Sequence, residues 1–425
     1  MGLTAAPPGT RRILLASLVG TSVEFYDFYI YATATSLVFG PLFFPSSSPS
    51  AQLLSAYASF GLAFLARPVG GILFGHFGDR VGRKSTLVAS LLLMGLATFL
   101  IAFLPTYAMV GWAAPLLLCL LRLAQGIGLG GEWSGAALLA VENAPPGWRG
   151  RFGSVPQLGA PLGFLAANGF FLLLGALLTP GQFLAWGWRL PFVASATLVG
   201  AGLWVRLRIG ETPAFTEALE QHEAAPVPLV EVLRGHLGTT IAATFGVVAC
   251  FAVYYIATAF ALGYGTTILG YDRQSFLGLQ LVAILFMAAG IGVAGWASDR
   301  IRPATVLLGG CAATVVSGLA LAPLLGSGSL GLVLAFLVLA LATMGFVYGP
   351  LGAWLTGLFP ARVRYTATAL AFNLGGIIGG GLTPAVAQLL AQRGGLKLVG
   401  AYLAGAGLLS MIGILATRRG ERRAG

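Results

Sequence analysis

Five ionisable residues stand inside long apolar stretches of this chain: Glu24, Asp27, Arg67, Arg122 and Glu132. A charge in a hydrocarbon layer is costly, so such residues pair with one another or mark the path of an ion or substrate. Arg67 carries a planar guanidinium fork suited to a carboxylate, which makes it the candidate for holding a substrate acid. Burial raises the pKa of a carboxyl and a nearby cation lowers it. Glu24 or Asp27 therefore has the chemistry to take a coupling proton or to meet a cationic substrate group. The competing reading is a structural ion pair that orders the first two helices.

Helical rise places two of these groups at one depth. Arg67 precedes Asp79 by twelve residues and Glu24 follows Arg12 by twelve, so each lies roughly 18 Å into a layer about 30 Å thick. Glu24 and Asp27 share a helix face at i,i+3, and Tyr31 continues that face from Asp27. The substrate-binding candidates are thus Arg67, Glu24 and Tyr31, with Tyr255 and Asn373 from the second half of the chain. Tyr254 and Phe372 belong to the same weaker group, in which plain helix packing is the competing reading.

The elements that position these residues are membrane helices. Only 9% of the 425 residues are charged and 57% are hydrophobic, against about 25% charged in soluble domains. Twelve apolar runs are long enough to span a bilayer: 13–39, 53–76, 85–105, 112–142, 152–178, 188–208, 239–268, 274–297, 303–324, 329–356, 366–391 and 397–417. The runs are too long and unbroken for a transmembrane β-barrel. The first follows Arg11 and Arg12 and contains Glu24 and Asp27, so it reads as a retained helix and not a cleaved leader. The net charge of +11 gathers in the tails and alternate loops, while 40–52, 106–111 and 179–187 carry no Lys or Arg. This asymmetry expects both termini in the cytoplasm and argues against a nucleic-acid partner. Cys119, Cys250 and Cys311 lie singly in predicted helices, and His76, His222 and His236 have no metal-ligand spacing with them. No cofactor and no metal are expected. The partners expected are a small-molecule substrate, a proton and the lipid bilayer, with the chain a monomer.

The polar stretch 209–238, rich in Glu and Pro, divides residues 1–208 from 239–425 as a cytoplasmic linker between two six-helix units. Asp79-Arg80 after the second run recurs as Asp299-Arg300 after the eighth, 220 residues on. Pro145-x-x-x-Arg149 recurs as Pro360-x-x-x-Arg364, 215 residues on. Two markers in one order at nearly one offset indicate a duplicated unit, an architecture of secondary transporters. The glycines, acid and bases at Gly75, Asp79, Arg80, Gly82, Arg83 and Lys84, with Glu142, Arg149, Asp299, Arg300 and Arg364, read as a charge latch that governs conformational cycling. A basic loop that only sets topology is the alternative. The Gly-rich stretches 126–135 and 375–381 lack a Gly-Lys-Ser/Thr element and read as close helix packing.

Gly75-x-x-x-Asp79-Arg80-x-Gly82-Arg83-Lys84 resembles the loop 2–3 signature of the major facilitator superfamily, and Arg122-Leu-Ala-Gln125-Gly126-Ile-Gly128 resembles its fourth-helix signature. An ordered series is similar to the metabolite:proton symporter family. It comprises Glu24-Phe-Tyr26-Asp27, Arg67-Pro68-Val-Gly70-Gly71, Gly130-Gly131-Glu132, Trp186-Gly-Trp188-Arg189-Leu-Pro191-Phe192, Glu211-Thr-Pro213-Ala-Phe215 and Phe359-Pro360-x-Arg362-Val-Arg364-Tyr365. The chain departs from that family at Thr21, Phe25 and Gly357, where Asn, Trp and an acid are usual, and its loop 8–9 motif lacks the Gly-Arg continuation. The resemblance implies an all-α membrane protein of twelve transmembrane helices in two pseudo-symmetric six-helix bundles, the major facilitator fold. It implies proton-coupled symport in the inner membrane, with substrates such as citrate, 2-oxoglutarate, shikimate, proline or betaines. It adds Arg122 and Glu132 to Asp27 and Glu24 as proton-coupling candidates, with helix-packing polarity as the alternative for the first two. Efflux by antiport is the second reading of the same fold. An enzyme is not expected, for no acid–base, nucleophile or metal constellation converges.

Overall fold

Leu65, Leu96, Leu319 and Ile412 are more than half exposed although each belongs to a long helix. A lipid solvent accepts such a surface, and it also dictates the helices, because a backbone in hydrocarbon must satisfy its own hydrogen bonds. The computed structural model describes residues 10–423 apart from 47, 82, 131, 209–227, 361 and 362; the side chains of 10–13, 16, 75–87, 205–208, 228 and 418–423 also lie outside the description. Among the described residues, eight stretches are long and apolar enough to cross a membrane. One of them, Arg364–Thr417, holds two spans, because the backbone leaves the helix at Gly394 and at Gly395, whose φ of 69° suits glycine. Thr10–Ala34, Arg83–Ile101 and Leu190–Arg208 complete the twelve.

In chain order α1 is Thr10–Ala34, prolonged through a π-helical turn at Thr35–Phe39 and a short turn at Gly40–Phe43. Next come α2 (Pro49–Val81), α3 (Arg83–Ile101) and α4, which runs over Ala113–Leu129 and resumes as Glu132–Glu142. The fifth, α5, comprises Arg149–Ser154, a 3-10 turn at Pro156–Leu158 and Gly159–Leu177, and α6 is Leu190–Arg208. A short helix at Pro228–Gly235 leads into α7, which is Leu237–Tyr255, a π turn at Ile256–Phe260 and Ala261–Thr267. Then follow α8 (Arg273–Ser298), α9 (Pro303–Leu325) and α10 (Leu330–Tyr348, resumed as Leu351–Gly357). The eleventh, α11, starts as Arg364–Gly376, passes a π turn at Ile377–Gly381 and continues to the break at Gly394; α12 follows it.

The packing repeats between the two bundles. In the first, α1 lies on α5 and α6, α4 on α2 and α3, and α3 on α6; in the second, α7 lies on α11 and α12, α10 on α8 and α9, and α9 on α12. Across the bundles α2 meets α11 and α5 meets α8, the exchange a two-fold relation between the units requires. The π turns of α1 and α7 obey the same relation, standing at nearly the offset that separates the two Asp–Arg pairs.

Candidate transport site

The backbones of α2 and α4 touch at glycines. A Cβ on Gly70 would overlap the Ile127 carbonyl oxygen, and one on Gly130 would overlap that of Arg67. This close approach sets Arg67 beside the point where α4 breaks. The result is a cavity between the bundles, lined by Glu24, Phe25 and Tyr29 of α1, Arg67 of α2, Gly130, Trp133 and Ser134 of α4, and, from the second bundle, Cys250, Tyr254, Tyr255, Tyr348, Phe372 and Asn373. Its space for water is ≈ 30 Å³, enough for a molecule or two. A substrate enters only if the bundles part.

Arg67 is buried, with its guanidinium 4.8 Å from the Phe28 ring centroid and 4.7 Å from that of Phe64. Aromatic faces on a planar cation fix its orientation and leave its edge for hydrogen bonding. Among the described residues its Nε makes no hydrogen bond. The structure brings Arg67, Glu24, Tyr255 and Asn373 to one cavity. Tyr31 is elsewhere: it lies under Arg122, 3.9 Å from ring centroid to guanidinium, and its hydroxyl is 3.1 Å from Ser59 Oγ. The shared face expected for Glu24 and Asp27 also divides. Glu24 lines the cavity, whereas Asp27 turns towards α6, where Ser195 Oγ donates to its Oδ1 at 2.5 Å. Sixty degrees of helix separate positions three apart, and the boundary between cavity and bundle interior falls within that angle.

Arg122 is wholly buried inside the first bundle, away from the cavity. Its Nη1 donates to Gln125 Oε1 at 3.0 Å, and Gln125 Nε2 donates to Thr98 Oγ1 at 2.7 Å. Phe28 and Phe60 flank it with Tyr31. Glu132 is buried at the start of the second segment of α4. Trp133, next to it, is a residue that sequence reasoning passed over. Its ring stacks on Phe372 at 3.6 Å with an interplanar angle of 2°, and its Nε1 donates to Gln157 Oε1 and Tyr348 Oη at 3.0 and 3.2 Å. Beside it, Asn373 Nδ2 donates to the Gly130 carbonyl at 2.8 Å. The glycines before Glu132 were its only sequence signal, as the mark of a break in α4.

Contacts join the bundles at both ends of the cavity. At the end that carries loops 2–3, 4–5 and 8–9, Asp299 Oδ1 accepts from the Gly150 N–H at 2.7 Å and its Oδ2 lies 2.9 Å from Arg151 Nε. Burial pushes the Asp299 carboxyl up from its ordinary value, against the pull of the Gly150 and Arg151 N–H groups and of the Arg151 and Arg300 charges. Arg364 Nη1 meets Glu142 Oε1 at 3.4 Å. The cation on Asp299 is Arg151, and the Asp299 carboxylate caps the first turn of α5, which begins at Arg149. Arg300 stacks on Trp296 of its own helix, 3.7 Å from the ring centroid, and does not reach across. The side chains of Gly75, Asp79, Arg80, Arg83 and Lys84, and residue Gly82, lie outside the described residues. At the opposite end the two π turns meet: Ser36 Oγ and Tyr57 Oη donate to the Ala259 carbonyl at 3.0 and 2.8 Å. A π turn strips carbonyls of their helical donors, and side chains of the other bundle take their place.

Two six-helix bundles around a cavity that both line have the architecture of a secondary transporter of the major facilitator fold. The model of the sugar (and other) transporter family matches residues 13–238. The chain is 47% identical over 412 residues to the inner membrane metabolite transport protein YhjE of Escherichia coli K12, over 96% of this chain and 94% of that one. It is 36% identical over 417 residues to the shikimate transporter of the same organism, over 97% and 95%. Its fold matches that of the proton:xylose symporter XylE bound to 6-bromo-6-deoxy-D-glucose with a TM-score of 0.76 at 15% identity, over 97% and 95% of the two chains. The chain therefore belongs to the sugar (and other) transporter family of the major facilitator superfamily: it is a multi-pass membrane transporter and not an enzyme.

Proposed function

We propose that this transporter takes up a small organic acid or carboxylate-bearing zwitterion by proton-coupled symport. The observation that carries the reading is Arg67, a buried guanidinium held between two rings at the wall of the central cavity, with an N–H unpartnered. Glu24 lines the same cavity. A carboxylate would meet the fork of Arg67, while Glu24 takes a proton or faces a substrate cation. Asp27, Arg122 and Glu132 serve the proton side of the cycle. The shikimate transporter among the relatives agrees with a carboxylate cargo. In this reading the Asp299 end faces the cytoplasm with both termini, residues 1–208 and 239–425 rock as two units about the linker, and the chain works as a monomer in the inner membrane. The latch at Glu142, Asp299 and Arg364, with Gly75–Lys84, holds the outward-facing state and breaks on inward opening.

The test is reconstitution in proteoliposomes with an imposed proton gradient and a panel of dicarboxylates, tricarboxylates, shikimate, proline and betaine. Gradient-dependent uptake of one of them is expected. If none enters and one is instead driven outward against the gradient, the chain is an exporter and the symport reading falls.

A further inference from the structure

Phe28 belongs to neither the cavity wall nor the hydrogen-bonded interior, yet it touches both. Its ring is buried on α1, directly after Asp27. The guanidinium of Arg67, on the cavity, stands 4.8 Å from its centroid. The guanidinium of Arg122, inside the bundle, stands 4.5 Å from the same centroid. The two cations are therefore no more than about 9 Å apart, in a water-poor interior where like charges are weakly screened. One quadrupole serves both, and Phe60 and Phe64 pack edge-on against it at 5.4 Å and restrain the ring.

We propose that Phe28 is the positioning residue that couples substrate to proton, holding the cavity guanidinium of Arg67 and the interior guanidinium of Arg122 in one cation–π assembly. The proposal rests on the symport reading above. A carboxylate on Arg67 cancels one of the two charges and so lowers the positive potential at Glu24, the α1 carboxyl on the same cavity. A weaker positive potential favours the protonated carboxyl. By linkage, a proton on α1 then favours the carboxylate on Arg67, which is the sign symport needs. The groups that face Asp27 are Glu24 and Tyr26 on its own helix, Thr98 of α3 and Ser195 of α6. Arg122 of α4 reaches Thr98 through Gln125. With the ring gone, Arg67 is free to swing and hydrate, and the carboxyls lose a cation at fixed distance.

The experiment compares Phe28→Met, which fills the space without a π face, and Phe28→Tyr, which keeps the face. The cargo is whichever panel compound the wild type accumulates. Substrate counterflow, which needs no net proton movement, reads in each variant what a loosened Arg67 costs binding itself, and accumulation is compared with wild type after dividing by it. Gradient-driven accumulation should fall at least tenfold in Phe28→Met and survive in Phe28→Tyr. The pH dependence of substrate affinity should flatten only in Phe28→Met. Accumulation and pH dependence unchanged in Phe28→Met overturn the proposal, as does loss of coupling in both variants alike. If Phe28→Met fails to fold, Phe28→Leu replaces it with the same expectations. The wild type separates this test from the last: absence of proton-driven uptake there sinks the symport reading, whereas wild-type coupling leaves Phe28 to be judged by its variants.

Discussion

Arg189 and Tyr271 do the same job in the two halves of the molecule with different chemistry. Arg189 Nη1 donates to the carbonyls of Ala102 and Leu104 at 2.6 and 2.8 Å, beyond the last turn of α3. In the second half the Tyr271 hydroxyl donates to the Leu325 carbonyl at the end of α9, at 2.9 Å. A cation caps one helix and a phenol its counterpart. The contrast extends to the interior. Among the described residues, the buried acids and bases are Glu24, Asp27, Arg67, Arg122 and Glu132, all in the first half. The buried polar groups of the second half are hydroxyls and amides, among them Gln280, Asn373 and Gln388. Since a charge in the membrane tends to mark an ion or substrate path, the symport reading proposed above assigns coupling to the first half. The second supplies aromatic walls and neutral donors that seal the cavity.

The contrast breaks most directly at Arg67. Arg67→Ala should cost about 100-fold or more in uptake through loss of a bidentate charged contact, with the purified protein still monodisperse. Normal transport by this variant would remove the charged half from the site. Charge can also be moved into the neutral half. Asn373→Asp gives up the donor to Gly130 O and puts a carboxylate against a carbonyl, so the melting temperature should drop by several degrees, on the order of 3 kcal/mol. An unchanged melting curve would show that the second half tolerates charge as the first does.

A smaller effect is expected where the halves exchange charge. Asp299→Asn keeps an acceptor for Gly150 and gives up the partly exposed ion pair with Arg151, worth about 1 kcal/mol or less. Opening of that end, followed by a reporter across α5 and α8, should shift by no more than about fivefold, because loss of the pair is offset by relief of a buried charge. Acid should hold that end shut in the wild type, since burial raises the Asp299 pKa in the closed form and opening returns the carboxyl to water. Its contribution to the fold as a whole has the same sign. A carboxyl whose folded-state pKa is raised adds stability at low pH that is lost as the pH rises through that value. A latch that is insensitive to acid would contradict this account. The smallest effect on transport is that of Tyr271→Phe, which should cost about 1 kcal/mol in thermal stability and leave transport intact; a transport defect there would show that the neutral half does more than support.

The apolar runs gave away the spans because lipid forces every span to be long and uninterrupted. Rise per residue alone led to the expectation of a shared depth for Glu24 and Arg67, and both line one cavity. Helix phase was less legible. Asp27 and Tyr31 turn into the bundle, and Arg151 meets Asp299, because each depends on where a neighbouring helix starts or bends. The π turns at Thr35–Phe39, Ile256–Phe260 and Ile377–Gly381 had no local signature; in the second, other helices satisfy the carbonyls of Ala257, Thr258 and Ala259. Trp133 was hidden for a related reason, since an aromatic residue in an apolar helix carries no mark of what it stacks against.

The facing π turns of α1 and α7 have a further consequence. Each holds one residue of slack, since a π turn spends more chain per turn than an α turn. Drawing that slack in would rotate everything beyond it by about 100° about the helix axis with almost no change in length. Ser36 and Ala259 would then lose their register together. Two helices that share a hydrogen bond across such turns are tied in register there, and taking up the slack of either one costs that bond.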